Sequence, residues 1–123
     1  MTERILALKT TLQRRREFRD QLKSIREAST LQEILELSDR LPWQQLDALE
    51  ERCWELAHEF AINRRREEYI DAEATAGVII TTRIIRVLDD PKAPKNERML
   101  ALKSAENQKR IIWDQAFNSP KLD

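Results

Sequence analysis

The sequence predicts an all-α fold, a bundle of four to five helices completed by dimerisation. Three observations carry that reading. Glycine appears once and proline four times in 123 residues, too few for the many tight turns of a sandwich or barrel. Charged residues make up 36% of the chain and hydrophobic ones 41%, a mix suited to amphipathic helices and too apolar for disorder. Apolar residues also recur at three- and four-residue spacings along much of the chain. The length predicts one helical domain over residues 1–117, with a frayed tail at 118–123.

The first helix is expected from about Glu3 to Glu27, with Thr2 as its N-cap. Its apolar residues fall into two groups, Ile5, Leu6, Leu8 and Leu12, then Phe18, Leu22 and Ile25. At 100° per residue the groups point roughly 115° apart. One face can therefore enter the chain's own core while Ile5, Leu8 and Leu12 meet a second subunit. Thr30-Leu31-Gln32-Glu33 fits a capping box that opens a short second helix, closed before Pro42. Pro42 suits the first position of a third helix, where a missing N–H costs nothing. There Leu46, Leu49, Cys53, Leu56 and Phe60 recur at spacings of 3, 4, 3 and 4, the clearest seam in the chain. The pattern carries on through Asn63 into Arg64-Arg65-Arg66.

Residues 64–88 read as a fourth helix. Val78 to Leu88 is rich in β-branched residues, but a lone strand would have no partner. Residues 89–95, with Pro91 and Pro94, form a linker-like turn before a last helix from about Lys95 to Phe117. Its expected anchors are Met99, Leu100, Ile112, Trp113 and Phe117.

Lys and Arg number 22 and Asp and Glu 22, so the net charge is zero. The balance is local. Residues 1–28 hold eight basic side chains against four acidic, while residues 29–63 hold two against eight. Such an asymmetry can fold back on itself or pair one subunit with another. Neutrality overall gives no general pull toward nucleic acid or an anionic membrane. No apolar run reaches the ~18 residues of a membrane span, and no apolar signal core follows Met1. A cytoplasmic protein without membrane contact is expected.

Chemistry-bearing constellations are few. Cys53 stands alone, so no internal disulfide forms. His58-Glu59 opens like a zinc-protease helix, yet Ile62 occupies the place of the second histidine. Cys53 and His58 are five apart and point away from each other on a helix. One glycine cannot build a phosphate loop. The chain is therefore read as non-enzymatic, with no catalytic, cofactor-binding or metal residues and no cofactor.

Two arginine triplets, Arg14, Arg15, Arg16 and Arg64, Arg65, Arg66, are the candidate partner or nucleic-acid surface. Three successive helical residues span about 200°, so some must face solvent. Nearby Glu17, Asp20, Glu67, Glu68 and Asp71 are placed to pair with them at helical spacings. Trp54 and Trp113 are expected at the core's edge, and Trp43 as a staple beside Pro42. The stretch Arg14–Phe18 has an echo at Arg64–Tyr69, which chance explains in a chain so rich in Arg and Glu.

Leu22-Lys23-Ser24-Ile25-Arg26, then Thr30-Leu31-Gln32-Glu33-Ile34-Leu35-Glu36, then Leu46 and Glu59-Phe60-Ala61-Ile62-Asn63 follow one order of short, capped and longer helices. Over residues 22–63 this resembles the Hha/YmoA family of nucleoid-associated modulators. Arg52-Cys53-Trp54-Glu55 stands where that family carries an Ala-Asp-His-Arg stretch. The resemblance implies a helical partner of H-NS-type DNA-binding proteins that modulates silencing without reading sequence. The turn Asp89-Asp90-Pro91-Lys92-Ala93-Pro94 before Arg98 and Ala101 is similar to turns of phage small-terminase proteins. Both likenesses imply a bacterial or phage source. The expected function is a regulatory or adaptor protein acting by protein–protein contact, on DNA-bound machinery, as a homodimer with an unidentified protein partner. The alternative is direct nucleic-acid binding through the two triplets.

Overall fold

A computed structural model describes residues 2–118, except the side chains of Ile112, Trp113 and residues 115–118. The described residues are all-helical: α1 (Thr2–Glu27), α2 (Leu31–Arg40), a 3-10 turn (Trp43–Gln45), α3 (Leu46–Ile62), α4 (Arg66–Asp89) and α5 (Lys95–Asn118). They form two compact units, divided inside α4 between Ile79 and Ile80.

In the first unit α3 is the spine, and both α1 and α2 pack on it. The predicted seam is the core: Leu46, Leu49, Cys53 and Leu56 are buried, with Phe60 half-buried against them. Ile25, Ala28, Ile34, Leu37, Leu41, Ala76 and Ile79 complete the same cluster. Thr30 caps α2, its hydroxyl accepting from the Glu33 N–H at 3.2 Å. The Glu33 carboxylate takes the Thr30 hydroxyl at 3.1 Å and the Ser29 hydroxyl at 3.4 Å. The carboxylate half of the predicted box thus goes to hydroxyls. The buried polar residues Ser38 and Gln45 are both hydrogen-bonded. Ser38 donates to the Leu35 carbonyl at 2.7 Å, and the Gln45 amide reaches Gln21 Oε1 at 3.3 Å.

Three sequence expectations change here. Pro42 precedes the 3-10 turn, and α3 begins only at Leu46, so the proline sets the entry to a tighter turn. Thr2 is the first helical residue of α1. Helix α3 does not run into the second arginine triplet. It stops at Ile62 because Arg64 takes a left-handed φ of 55°. The Arg65 N–H then reaches back to the Phe60 carbonyl at 2.8 Å, and the Arg64 N–H to the Ala61 carbonyl at 3.1 Å. Carbonyls that would otherwise be orphaned at the helix end are closed this way.

The second unit holds the C-terminal half of α4, the turn at 90–94, and α5. Ile84, Val87, Ala93 and Ala101 are its buried apolar side chains. Met99 and Leu100, expected as anchors, are more than half exposed, because Ala101 is the residue of that turn that faces inward. Ile112, Trp113 and Phe117 lie outside the described side chains, and the predicted tail beyond Asn118 lies outside the described residues. Arg83 pairs with Glu97 at 3.0 Å, with both side chains largely buried, and Arg98 donates to the Asp90 carbonyl. Asp90 Oδ1 accepts the Lys92 N–H at 2.9 Å, which shapes the predicted turn.

Candidate functional site

The first nineteen residues of α1, Thr2 to Asp20, are exposed around the whole helix. Only the last turns of α1 enter the core, through Gln21, Leu22 and Ile25. Phe18, expected with them, is instead 50% exposed, one turn short of the packing surface. Ile5, Leu6, Leu8 and Leu12 are likewise exposed, at 45–62%. This stretch, the arm of α1, thus offers five large apolar side chains to solvent. It also carries six basic side chains against three acidic ones. Thr10 and Thr11 donate to the Leu6 and Ala7 carbonyls, each at 2.9 Å.

Arg14, Arg15 and Arg16 all lie on this arm. Glu17 and Asp20 do not consume their charge. Among the described residues none of the three guanidinium groups has a carboxylate within ion-pair distance, and Glu17 instead accepts from Gln13 Nε2 at 3.4 Å. Thr11, Arg14, Arg15, Phe18 and Arg19 line an open groove along the helix. Basic and aromatic surface are therefore interleaved.

The second triplet is built differently. Arg64 sits in the left-handed turn, Arg65 follows it, and only Arg66 is helical. Arg65 lies over the Phe60 ring at 5.3 Å and donates to Glu68 at 2.9 and 3.2 Å. The Glu68 backbone N–H, and after it the Arg65 guanidinium, hold the Glu68 carboxyl below its ordinary value. Self-pairing expected of both triplets thus holds at Arg65 alone, and the two triplets do not share one type of surface.

Cys53 lies in the buried seam that its spacing predicts. The Cys53 thiol is buried and donates to the Ala72 carbonyl at 3.3 Å. Burial, then the nearby Glu50 carboxylate, push its pKa up to about 11, so it carries almost no thiolate at neutral pH. His58 is exposed, and among the described residues no cluster of His, Cys, Asp or Glu could hold a metal. No helix among the described residues is long and apolar enough to cross a membrane.

A second exposed surface escapes the sequence reading. Trp54, expected at the core's edge, is 42% exposed, its indole N–H donating to Glu50 at 3.1 Å. It stands in a line along α3 with Asp47, Glu51, His58 and Ile62, all exposed. Their spacings of 4, 3, 4 and 4 form a stripe on the side of α3 away from the seam. That spacing is readable, but the stronger seam one face away masks it. Comparison of the chain with protein families, curated proteins and solved structures gives no match.

Proposed function

We propose that this is a non-catalytic adaptor or regulatory protein that works by protein–protein contact through the N-terminal half of α1, and that it is a homodimer with Ile5, Leu8 and Leu12 in the interface. One observation carries this reading: nineteen consecutive helical residues are exposed around the whole helix yet display five large apolar side chains. Five of the fourteen large apolar side chains exposed among the described residues lie on this arm, and such grouped apolar surface marks an interaction site. An unpacked helix of this length is also marginal in water, and a partner supplies the missing burial. The resemblance of residues 22–63 to nucleoid modulators would set that contact on DNA-bound machinery.

Sedimentation of the full chain tests the reading. The expected result is a dimer that Leu8→Glu with Leu12→Glu converts to a monomer that retains the cooperative unfolding of its core. A monomer at all accessible concentrations removes the homodimer, and a dimer indifferent to those changes removes the arm from it.

A second reading has its own observation, the groove of Arg14, Arg15 and Arg19 around exposed Phe18. Arginines over a phosphate backbone with a stacking aromatic are the parts of a nucleic-acid surface. Tight duplex binding at physiological salt, abolished when Arg14, Arg15 and Arg16 become Gln, establishes that alternative. For every phosphate no longer neutralised, the slope of log K against log salt falls by about 0.9.

A further inference from the structure

We infer that the arm of α1 docks antiparallel on the acidic stripe of α3 in a second copy of this chain. The inference deepens the adaptor reading and rests on it. Both surfaces are single helical stripes of matching length. The arm's stripe is Ile5, Leu8, Leu12, Arg15 and Arg19, spaced 3, 4, 3 and 4, and spans about 21 Å at 1.5 Å per residue. The α3 stripe from Asp47 to Ile62 spans about 22 Å by the same rise.

Chemistry fixes the direction. The arm is apolar at its start and basic at its end, whereas the α3 stripe is acidic at its start and apolar at its end. Laid antiparallel, Ile5 meets Ile62, Leu8 meets His58 and Leu12 meets Trp54. The same register sets Arg15 against Glu51 and Arg19 against Asp47. A parallel arrangement sets Arg15 on His58 and Arg19 on Ile62 and leaves Asp47 and Glu51 against Ile5 and Leu8, so charge meets apolar surface at both ends, which is costly. The wider charge balance agrees, with five acidic side chains and one basic on α3 facing the basic arm. Each helix supplies what the other lacks.

Pairing of two arms with each other is disfavoured by the same residues. Parallel arms set Arg15 on Arg15 and Arg19 on Arg19, with Lys9 and Arg16 alongside. Antiparallel arms set Arg15 and Arg19 on Leu8 and Ile5. When arm and stripe each serve the other copy, two chains close the contact about a two-fold axis and leave neither surface open.

A charge exchange on the full chain tests this, read by sedimentation equilibrium with helicity checked by circular dichroism. Arg15→Glu and Glu51→Arg should each weaken the dimer about tenfold, and the two together should restore affinity to within about threefold of the native chain. Failure of the double variant to recover, or a Glu51→Arg dimer as tight as the native one, overturns docking on α3. If Leu8→Glu with Leu12→Glu still dissociates the dimer in that case, the arm remains an interface and only its docking site is wrong. A native chain that stays monomeric and binds duplex instead overturns both.

Discussion

At the scale of single residues, backbone demands and side-chain identity disagree in two places. Arg64 holds a left-handed φ of 55° at the end of α3, a conformation that costs a side-chain-bearing residue about 1 kcal/mol and glycine little. The chain's one glycine, Gly77, sits inside α4, where an added Cβ would meet nothing within 4 Å. Glycine there weakens the helix and serves no close approach. Both Arg64→Gly and Gly77→Ala should therefore stabilise the protein, each by about 0.5–1 kcal/mol, as read from urea unfolding. Arg64→Gly tests whether the sharp stop of α3 is a backbone requirement, since it leaves the Arg65–Phe60 and Arg65–Glu68 contacts in place.

At the scale of elements, α3 works on two sides. Its seam of Leu46, Leu49, Cys53 and Leu56 organises the first unit, and its opposite stripe is left to solvent. Leu49→Ala and Leu56→Ala should each cost about 2–5 kcal/mol, because both side chains are enclosed and the space they leave cannot collapse fully. Thermal unfolding measures the loss, and a cost under about 1 kcal/mol at both positions would contradict the burial on which the fold rests. Changes on the stripe should behave differently. Exposed positions such as Glu51 contribute little to the fold's stability, so their effects separate cleanly into association.

For the whole molecule, the consequence is an uneven distribution of stability. The core of the first unit gathers Ile25, Ile34, Leu37 and Ile79 around α3, while residues 2–20 gain nothing from it. Arm amides should exchange hydrogen far faster than those of α3 in dilute solution, and should slow as protein concentration rises. Local opening follows the density of buried contacts, and a second copy supplies those contacts by mass action. Arm exchange that is independent of concentration would mean that self-association leaves the arm uncovered. Salt should shift the same balance, since basic–acidic docking at the surface is screened over about 8–10 Å at ordinary ionic strength.

The sequence alone determined the helical class, the order of the helices and the spine of the core. Scarce glycine, the Thr30 cap and the 3-4 recurrence from Leu46 to Phe60 are local signals, and local signals fix local structure. It also placed the offset between the Ile5, Leu8 and Leu12 face and the face that ends at Ile25. Where α1 leaves the core was not legible, because Phe18 has the chemistry of a core residue and only the reach of the neighbouring helices decides its burial. Arg64 is a similar case. Arginine favours a helix, yet it adopts the left-handed turn that ends α3 before α4 begins. The buried role of Ala101 in place of Met99 or Leu100 depended on which face of α5 is covered, which no spacing encodes. Periodicity names the faces of a helix; tertiary contact alone decides which of them are covered, and the arm of α1 and the outer stripe of α3 are among those it left open.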